Sequence, residues 1–198
     1  MTAHAFALLV DRVQWCRACP RMEGRRRVLG EGNGSLRPVV MLVGTAPGRH
    51  GAERTGVPFS GDRSGEALDQ LLRRAGLDRE DVFITNAVLC NPQDARGRND
   101  EPTAAELRAC RAHLAETIAV VDPPLVLALG RTAHAALARI ARAPRWDEAL
   151  GTAHPWNGRR LAATYHPGPR VWNQPLRRAA LLAQWDALLS PVAAPAPL

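Results

Sequence analysis

The sequence predicts an α/β fold: a three-layer α/β/α domain with a central, mainly parallel four-stranded sheet. Three observations carry that expectation. Four short apolar runs, at residues 39–43, 82–88, 125–129 and 161–165, read as strands buried on both faces. Segments with apolar residues at helical spacing alternate with them, as the right-handed crossovers of a parallel sheet require. The 198 residues suit one domain with a sizeable core, expected to span 1–190, followed by an Ala/Pro-rich tail at 191–198.

Each element has its own signal. Residues 5–17 form a weak amphipathic helix leading into Trp15-Cys16-Arg17-Ala18-Cys19-Pro20. An arginine- and glycine-rich stretch at 21–38 lacks periodicity and reads as an ordered arm over the sheet edge. The first strand ends at Gly44, and a long glycine-dense loop follows it as far as Asp62. Ala67, Leu68, Leu71, Leu72 and Ala75 then repeat at helical spacing, and Gly76 stops the helix. The second strand leads into Leu89-Cys90-Asn91-Pro92 and a polar loop through Pro102. Thr103-Ala104-Ala105-Glu106 is a capping box that starts a helix running to about Val120, with Cys110 inside it. Gly130 ends the third strand, and a helix spans 131–141. The fourth strand delivers His166-Pro167-Gly168-Pro169-Arg170, and a last helix spans 175–189.

The charge balance narrows the partner. Net charge is +7, the sequence pI is about 10.7, and every one of the 26 basic residues is arginine. Such a surplus points to a polyanion, nucleic acid first. With no lysine, imine catalysis through a side-chain amine is excluded. The start has no signal-peptide shape and no run reaches membrane-spanning length, so the expected place is the cytoplasm. There, four cysteines read as metal ligands, catalytic groups or buried thiols rather than disulfides.

The loop after the first strand is the expected site. Parallel sheets place ligands beyond the carboxyl ends of their strands, and ordinary strand-to-helix connections are much shorter. Its glycines permit close backbone approach, while Arg49, His50, Arg54 and Arg63 favour an anion. Topology should gather 45–62, Asn86 and His166 around one cleft.

Four motifs in order then resemble those of the uracil-DNA glycosylase superfamily: Gly44-Thr45-Ala46-Pro47-Gly48, 58–65 with Phe59 and Asp62, Thr85-Asn86-Ala87-Val88, and Tyr165-His166-Pro167-Gly168-Pro169. The resemblance covers about residues 10–188, and the cysteines are similar to those of its iron–sulfur branches, families 4 and 5. An insertion resembling 50–56 is typical of family 5, also called type b, and makes the resemblance closest to that family. Thr45 departs from both branches: family 4 has an acidic residue there and family 5 an apolar one, so which group positions the water stays open. The resemblance implies a monofunctional enzyme of base excision repair in a bacterium or archaeon, acting at the nucleoid as a monomer. Its partner would be DNA, single- or double-stranded, carrying uracil or another deaminated base.

Breaking an N-glycosidic bond creates oxocarbenium character on the sugar and an anionic leaving base, so charge stabilisation is the main task. The base must first leave the stack. The resemblance assigns Gly44, Thr45, Ala46, Pro47, Gly48 and Phe59 to the base pocket, Phe59 by stacking; a core role for Phe59 is the plain alternative. Asn86 could pair with uracil O4 and N3–H, and His166 could donate to O2 as charge grows there. Asp62 is the candidate water holder and an equally good helix N-cap, two compatible roles. His50, Arg54, Pro167, Gly168, Pro169 and Arg170 are expected at the DNA backbone, with Arg170 or Val171 entering the gap left by the base. Gly48 leaves open a space that uracil-specific relatives fill with Tyr, which implies acceptance of 5-substituted uracils and hypoxanthine.

Cys16 and Cys19 form a C-x₂-C pair, but Cys90 and Cys110 are not a second one. Three separate segments supplying four thiolates suit a 4Fe-4S cluster; a Cys₄ zinc site is the alternative. Two functions of different class therefore remain: a glycosylase, or a metal-stapled lesion-binding protein that cleaves nothing.

Overall fold

The computed structural model describes residues 2–193. Its sheet has five strands: β1 (Val40–Gly44), β2 (Val82–Asn86), β3 (Leu125–Leu129), β4 (His154–Trp156) and β5 (Arg159–Thr164), in the order β2-β1-β3-β5-β4. The first four in that order run parallel, and β4 is antiparallel to β5 at the edge. The helices are α1 (Thr2–Gln14), α2 (Ala52–Thr55), α3 (Arg63–Arg74), α4 (Ala104–Val121), α5 (Arg131–Ala138), α6 (Trp146–Ala149), α7 (Pro169–Trp172) and α8 (Pro175–Ala193). The tail expected from residue 191 lies, from 194 on, outside the described residues.

Strand alternation builds the two helical layers. In β1, Met41 and Val43 pack with Phe6, Leu9 and Val13 of α1 and Leu114 and Ile118 of α4. Val40 and Leu42 point the other way, onto Leu68, Leu71 and Leu72 of α3 and Trp185 of α8. All residues of β1, β2 and β3 are buried, which is why those runs read as continuous apolar stretches.

The fifth strand corrects the four-strand expectation. Trp156 and Arg159 pair across a two-residue turn in which Asn157 and Gly158 have φ of 46° and 75°. Asn-Gly is the strongest short signal for such a turn, but β4 is only three residues long and contains Pro155. Proline is tolerated there because β4 is the edge strand and Pro155 is exposed.

The arm covers the opposite edge. Ser35 N–H donates to Val82 O at 2.9 Å, Val28 N–H to Leu89 O at 2.8 Å, and Asn33 Nδ2 to Ile84 O at 2.7 Å. The open hydrogen-bonding edge of β2 is thereby closed. The Thr103–Glu106 capping box is present, with Thr103 N–H donating to Glu106 at 2.7 Å. Arg21 of the arm grips the same Glu106 at 2.7 Å and also Asp100 at 2.7 Å, tying arm, loop and α4 together.

Candidate active site

The carboxyl ends of the parallel strands meet at one cavity of about 500 Å³. Register explains the meeting. Gly44 at the end of β1 lies opposite Asn86 at the end of β2, and Gly130 N–H donates to Thr164 O, setting His166 beside the end of β3. The β1 crossover runs one way across the sheet and the β2 crossover runs back, so the cavity sits at the topological switch point.

Among residues expected for the base pocket, Thr45, Ala46, Pro47, Gly48, Phe59, Asp62, Asn86 and His166 line this cavity. Gly44 lies just beneath. A Cβ on it would come within 2.5 Å of Asn86 Oδ1 and 2.6 Å of Phe59 Cε2, so only glycine admits both side chains. Gly168, Pro169 and Arg170 also line the cavity; His50 and Arg54 are exposed outside it, and Pro167 is buried. Val171 lines it as well.

Asn86 is the most informative side chain. It is 1% exposed, yet neither Oδ1 nor Nδ2 has a hydrogen-bond partner. A buried amide left so costs several kcal/mol, roughly 2–7 by transfer data, unless a ligand completes it.

Phe59 is held in a conformation that side chains other than glycine rarely adopt, with φ of 50°. Arg79 secures it: Nη1 donates to Pro58 O at 3.0 Å, Nη2 donates to Phe59 O, and Nε pairs with Asp69 at 2.9 Å. The Phe59 and His166 rings lie 5.7 Å apart at 34°. Burial pulls the His166 pKa below its ordinary value, outweighing the upward pull of Asp62. The imidazole is therefore neutral near pH 7 and can donate from only one nitrogen.

Asp62 is the N-cap of α3 and also borders the cavity. Oδ1 caps α3, accepting from Ser64 N–H and Gly65 N–H at 3.0 Å each. Oδ2 accepts no hydrogen bond among the described residues and borders the cavity beside the bare faces of Gly48 and Gly51. A Cβ on Gly48 would stand 2.8 Å from that oxygen. The space expected to be open at Gly48 is thus bounded by a carboxylate oxygen.

The sequence reading missed one wall. Asn91 Nδ2 donates to Pro47 O at 2.6 Å and to Asn99 Oδ1 at 3.0 Å, and Arg49 N–H donates to Asn99 Oδ1 at 2.8 Å. These bonds lock the loop after β2 onto the loop after β1. Arg131, at the start of α5, also lines the cavity with its guanidinium 4.9 Å over the Trp146 ring. The only signal for Asn91 was a polar residue beside Cys90 in an otherwise apolar stretch.

Cys16, Cys19, Cys90 and Cys110 line a second, small cavity with Arg17 and Arg27. Burial pushes the Cys110 thiol up to about 12 and the Cys90 thiol up to about 11, the latter against a downward pull from Arg27. Four thiolates there need a cationic centre. The donor set fits a thiolate-bound metal group, and the buried Arg27 Nε has no partner. Among the described residues, no three His, Cys, Asp or Glu side chains converge closely enough to hold one metal ion.

These features define the class: an α/β domain whose ligand-sized cavity, with an unpaired buried amide and a neutral imidazole in its wall, lies at the topological switch point. The chain belongs to the uracil DNA glycosylase superfamily, whose family description it matches over residues 31–189. It is 35% identical to the type-4 uracil-DNA glycosylase of Thermotoga maritima over 88% of each chain. It is also 35% identical to the type-5 uracil-DNA glycosylase of Thermus thermophilus, over 79% of this chain and 84% of that one. A type-5 enzyme of Pyrobaculum aerophilum matches at 34% over 81% of each. Types 4 and 5 are thus equally similar by identity.

Proposed function

We propose that this protein is a monofunctional DNA glycosylase that flips uracil out of DNA and hydrolyses its N-glycosidic bond. The observation that carries the reading is Asn86, buried and unpaired at the cavity floor. Uracil offers an acceptor at O4 and a donor at N3–H, the complement of Nδ2 and Oδ1. Phe59 supplies a face for stacking. The neutral His166 donates to O2 as the departing base gains negative charge, and Asp62 Oδ2 holds the attacking water and faces the positive sugar. Type-4 and type-5 relatives support this assignment. Among the described residues no helix is long and apolar enough to cross a membrane. We place the enzyme at the bacterial or archaeal nucleoid, as a monomer gripping phosphates through Arg54, Arg170 and Arg131.

Incubation with uracil-containing DNA followed by hot alkali should give strand breaks, and without alkali none, because no lysine can form an imine. Intact strands after alkali would leave a lesion binder that cleaves nothing.

We further propose that the four cysteines hold a 4Fe-4S cluster, which when bound staples the arm and the loop after β2 to α4. A zinc ion draws its sulfurs to about 2.3 Å from one centre, whereas a cubane keeps them apart at its corners. Four thiolates from three separate segments favour the latter. Anaerobically purified protein should be brown, with about four irons and four sulfides per chain; zinc without sulfide would overturn this.

The base range extends to 5-substituted uracils. The space above Gly48 is bordered by Asp62 Oδ2 and, across it, by Asn99 Nδ2, which lies 3.8 Å from where a Gly48 Cβ would stand. Polar 5-substituents find partners there and a methyl does not, so 5-hydroxymethyluracil should be excised faster than mispaired thymine. Equal rates would remove the polar-wall argument.

A further inference from the structure

Arg27 lies on the arm, and its guanidinium is pinned at two corners. Nη1 donates to Arg25 O at 2.6 Å and Nη2 to Cys16 O at 2.6 Å. Its third donor, Nε–H, is buried and has no partner. An unpaired buried donor on a charged group is costly, and native structures retain one where something absent completes it. Arg27 lines the cavity that all four cysteines share, and its charge pulls the Cys90 thiol down against burial. Arg17 lines it too but is exposed and donates to Gln14 O and Cys16 O at 3.4 and 3.1 Å. Two acids act on the thiols: Glu106, on Cys19, is already gripped by Arg21, and Glu53, on Cys90, accepts from Arg26 N–H at 3.4 Å. Among the described residues beside the thiols, the half-buried Arg27 is therefore the cation with a buried donor to spare.

A thiolate-bound iron–sulfur cluster is a net anion in a poorly solvated place, and hydrogen bonds to its sulfurs set its potential and its retention. We propose that Arg27 is the built-in counter-cation of the four-cysteine centre, its Nε–H left to serve a sulfur of the bound cluster while the two carbonyl bonds hold the fork in place. The proposal rests on the cluster reading above. It makes Arg27 a positioning residue with an electrostatic task, not only a brace between the arm and Cys16.

The test compares the native holoprotein with Arg27→Gln and Arg27→Lys, prepared anaerobically. Two quantities are read: the rate of iron release to a ferrous chelator, and the midpoint potential of the cluster's one-electron reduction, titrated with dithionite and mediators. R27Q is shorter, keeps a planar polar end, and loses the charge and the fork. It should release iron about tenfold faster or more, as loss of a charge-assisted hydrogen bond implies, and its potential should fall, because an electron is added to a less positive site. R27K keeps the charge without the fork. Its potential should stay near native while iron leaves faster. A brace alone would speed release in R27Q without moving its potential, and that result overturns the proposal. If R27Q does not accumulate with a cluster, R27K decides: a cluster that accumulates at native potential although the fork is lost upholds the role of the charge, and failure of R27K to accumulate one as well, as a brace alone predicts, overturns the proposal. Native protein without iron and sulfide would overturn the cluster reading first, and this proposal with it.

Discussion

Two asparagines flank the same strand and are equally buried, at 1% exposure each, yet they have opposite fates. Asn33, on the arm, accepts from Gly30 N–H at 2.8 Å and donates to Ile84 O at 2.7 Å. Asn86, at the end of β2, meets no partner at either atom. One amide closes a sheet edge and is finished when the chain has folded. The other is finished only when a ligand arrives. Burial alone does not mark a functional side chain; burial with hydrogen-bonding capacity left unused does.

The sharpest way to break that contrast is Asn86→Ala. Excision should fall on the order of a hundredfold or more, as for removal of a preorganised donor elsewhere, while DNA binding and Tm stay near native. Single-turnover rates and a melting curve measure the two effects. A large fall in Tm with little loss of rate would reverse the roles assigned to the two amides.

Gly44→Ala sharpens the same comparison without touching the amide. The added methyl would meet Asn86 Oδ1 at 2.5 Å and Phe59 at 2.6 Å, so both reacting-base contacts must shift. A displacement of about 1 Å can cost about a hundredfold, and a loss of tenfold or more in kcat is expected. A variant with native kcat would show that the crowding at Gly44 is irrelevant to the chemistry.

Asn33→Ala should do the reverse. It leaves Gly30 N–H and Ile84 C=O unpaired, costing about 1–3 kcal/mol of stability, with excision per folded molecule nearly unchanged. Denaturant unfolding paired with active-site titration separates the two.

The smallest effect concerns pH. Burial holds the folded-state pKa of His166 below the unfolded value, near 6.5. Between those values the unfolded chain binds more protons, so stability from this group is full above about pH 6.5 and declines as pH falls toward the folded pKa. The stability difference between native protein and His166→Gln should therefore shift against the native protein on acidification. Excision should not rise as pH drops through 6.5, since the neutral imidazole is the working form. A rise would mean that imidazolium is.

Much of this was written in the chain. The apolar runs of β1, β2, β3 and β5 announce themselves because a strand buried on both faces needs no polar residue. Thr103-Ala104-Ala105-Glu106 marks the start of α4 because its hydrogen bonds are local, and the order of the motifs around Gly44, Phe59, Asn86 and His166 identifies the superfamily. Local chemistry also contained the β4–β5 turn in Asn157-Gly158, though three residues of strand with Pro155 carry too little pattern to be read. Only the tertiary structure decided that Gly44 stands across from Asn86, that Asn91 and Asn99 lock two loops, and that Arg27 lines one small cavity with four cysteines. Each of those facts depends on which atoms meet after long loops close, and no spacing along one segment encodes that.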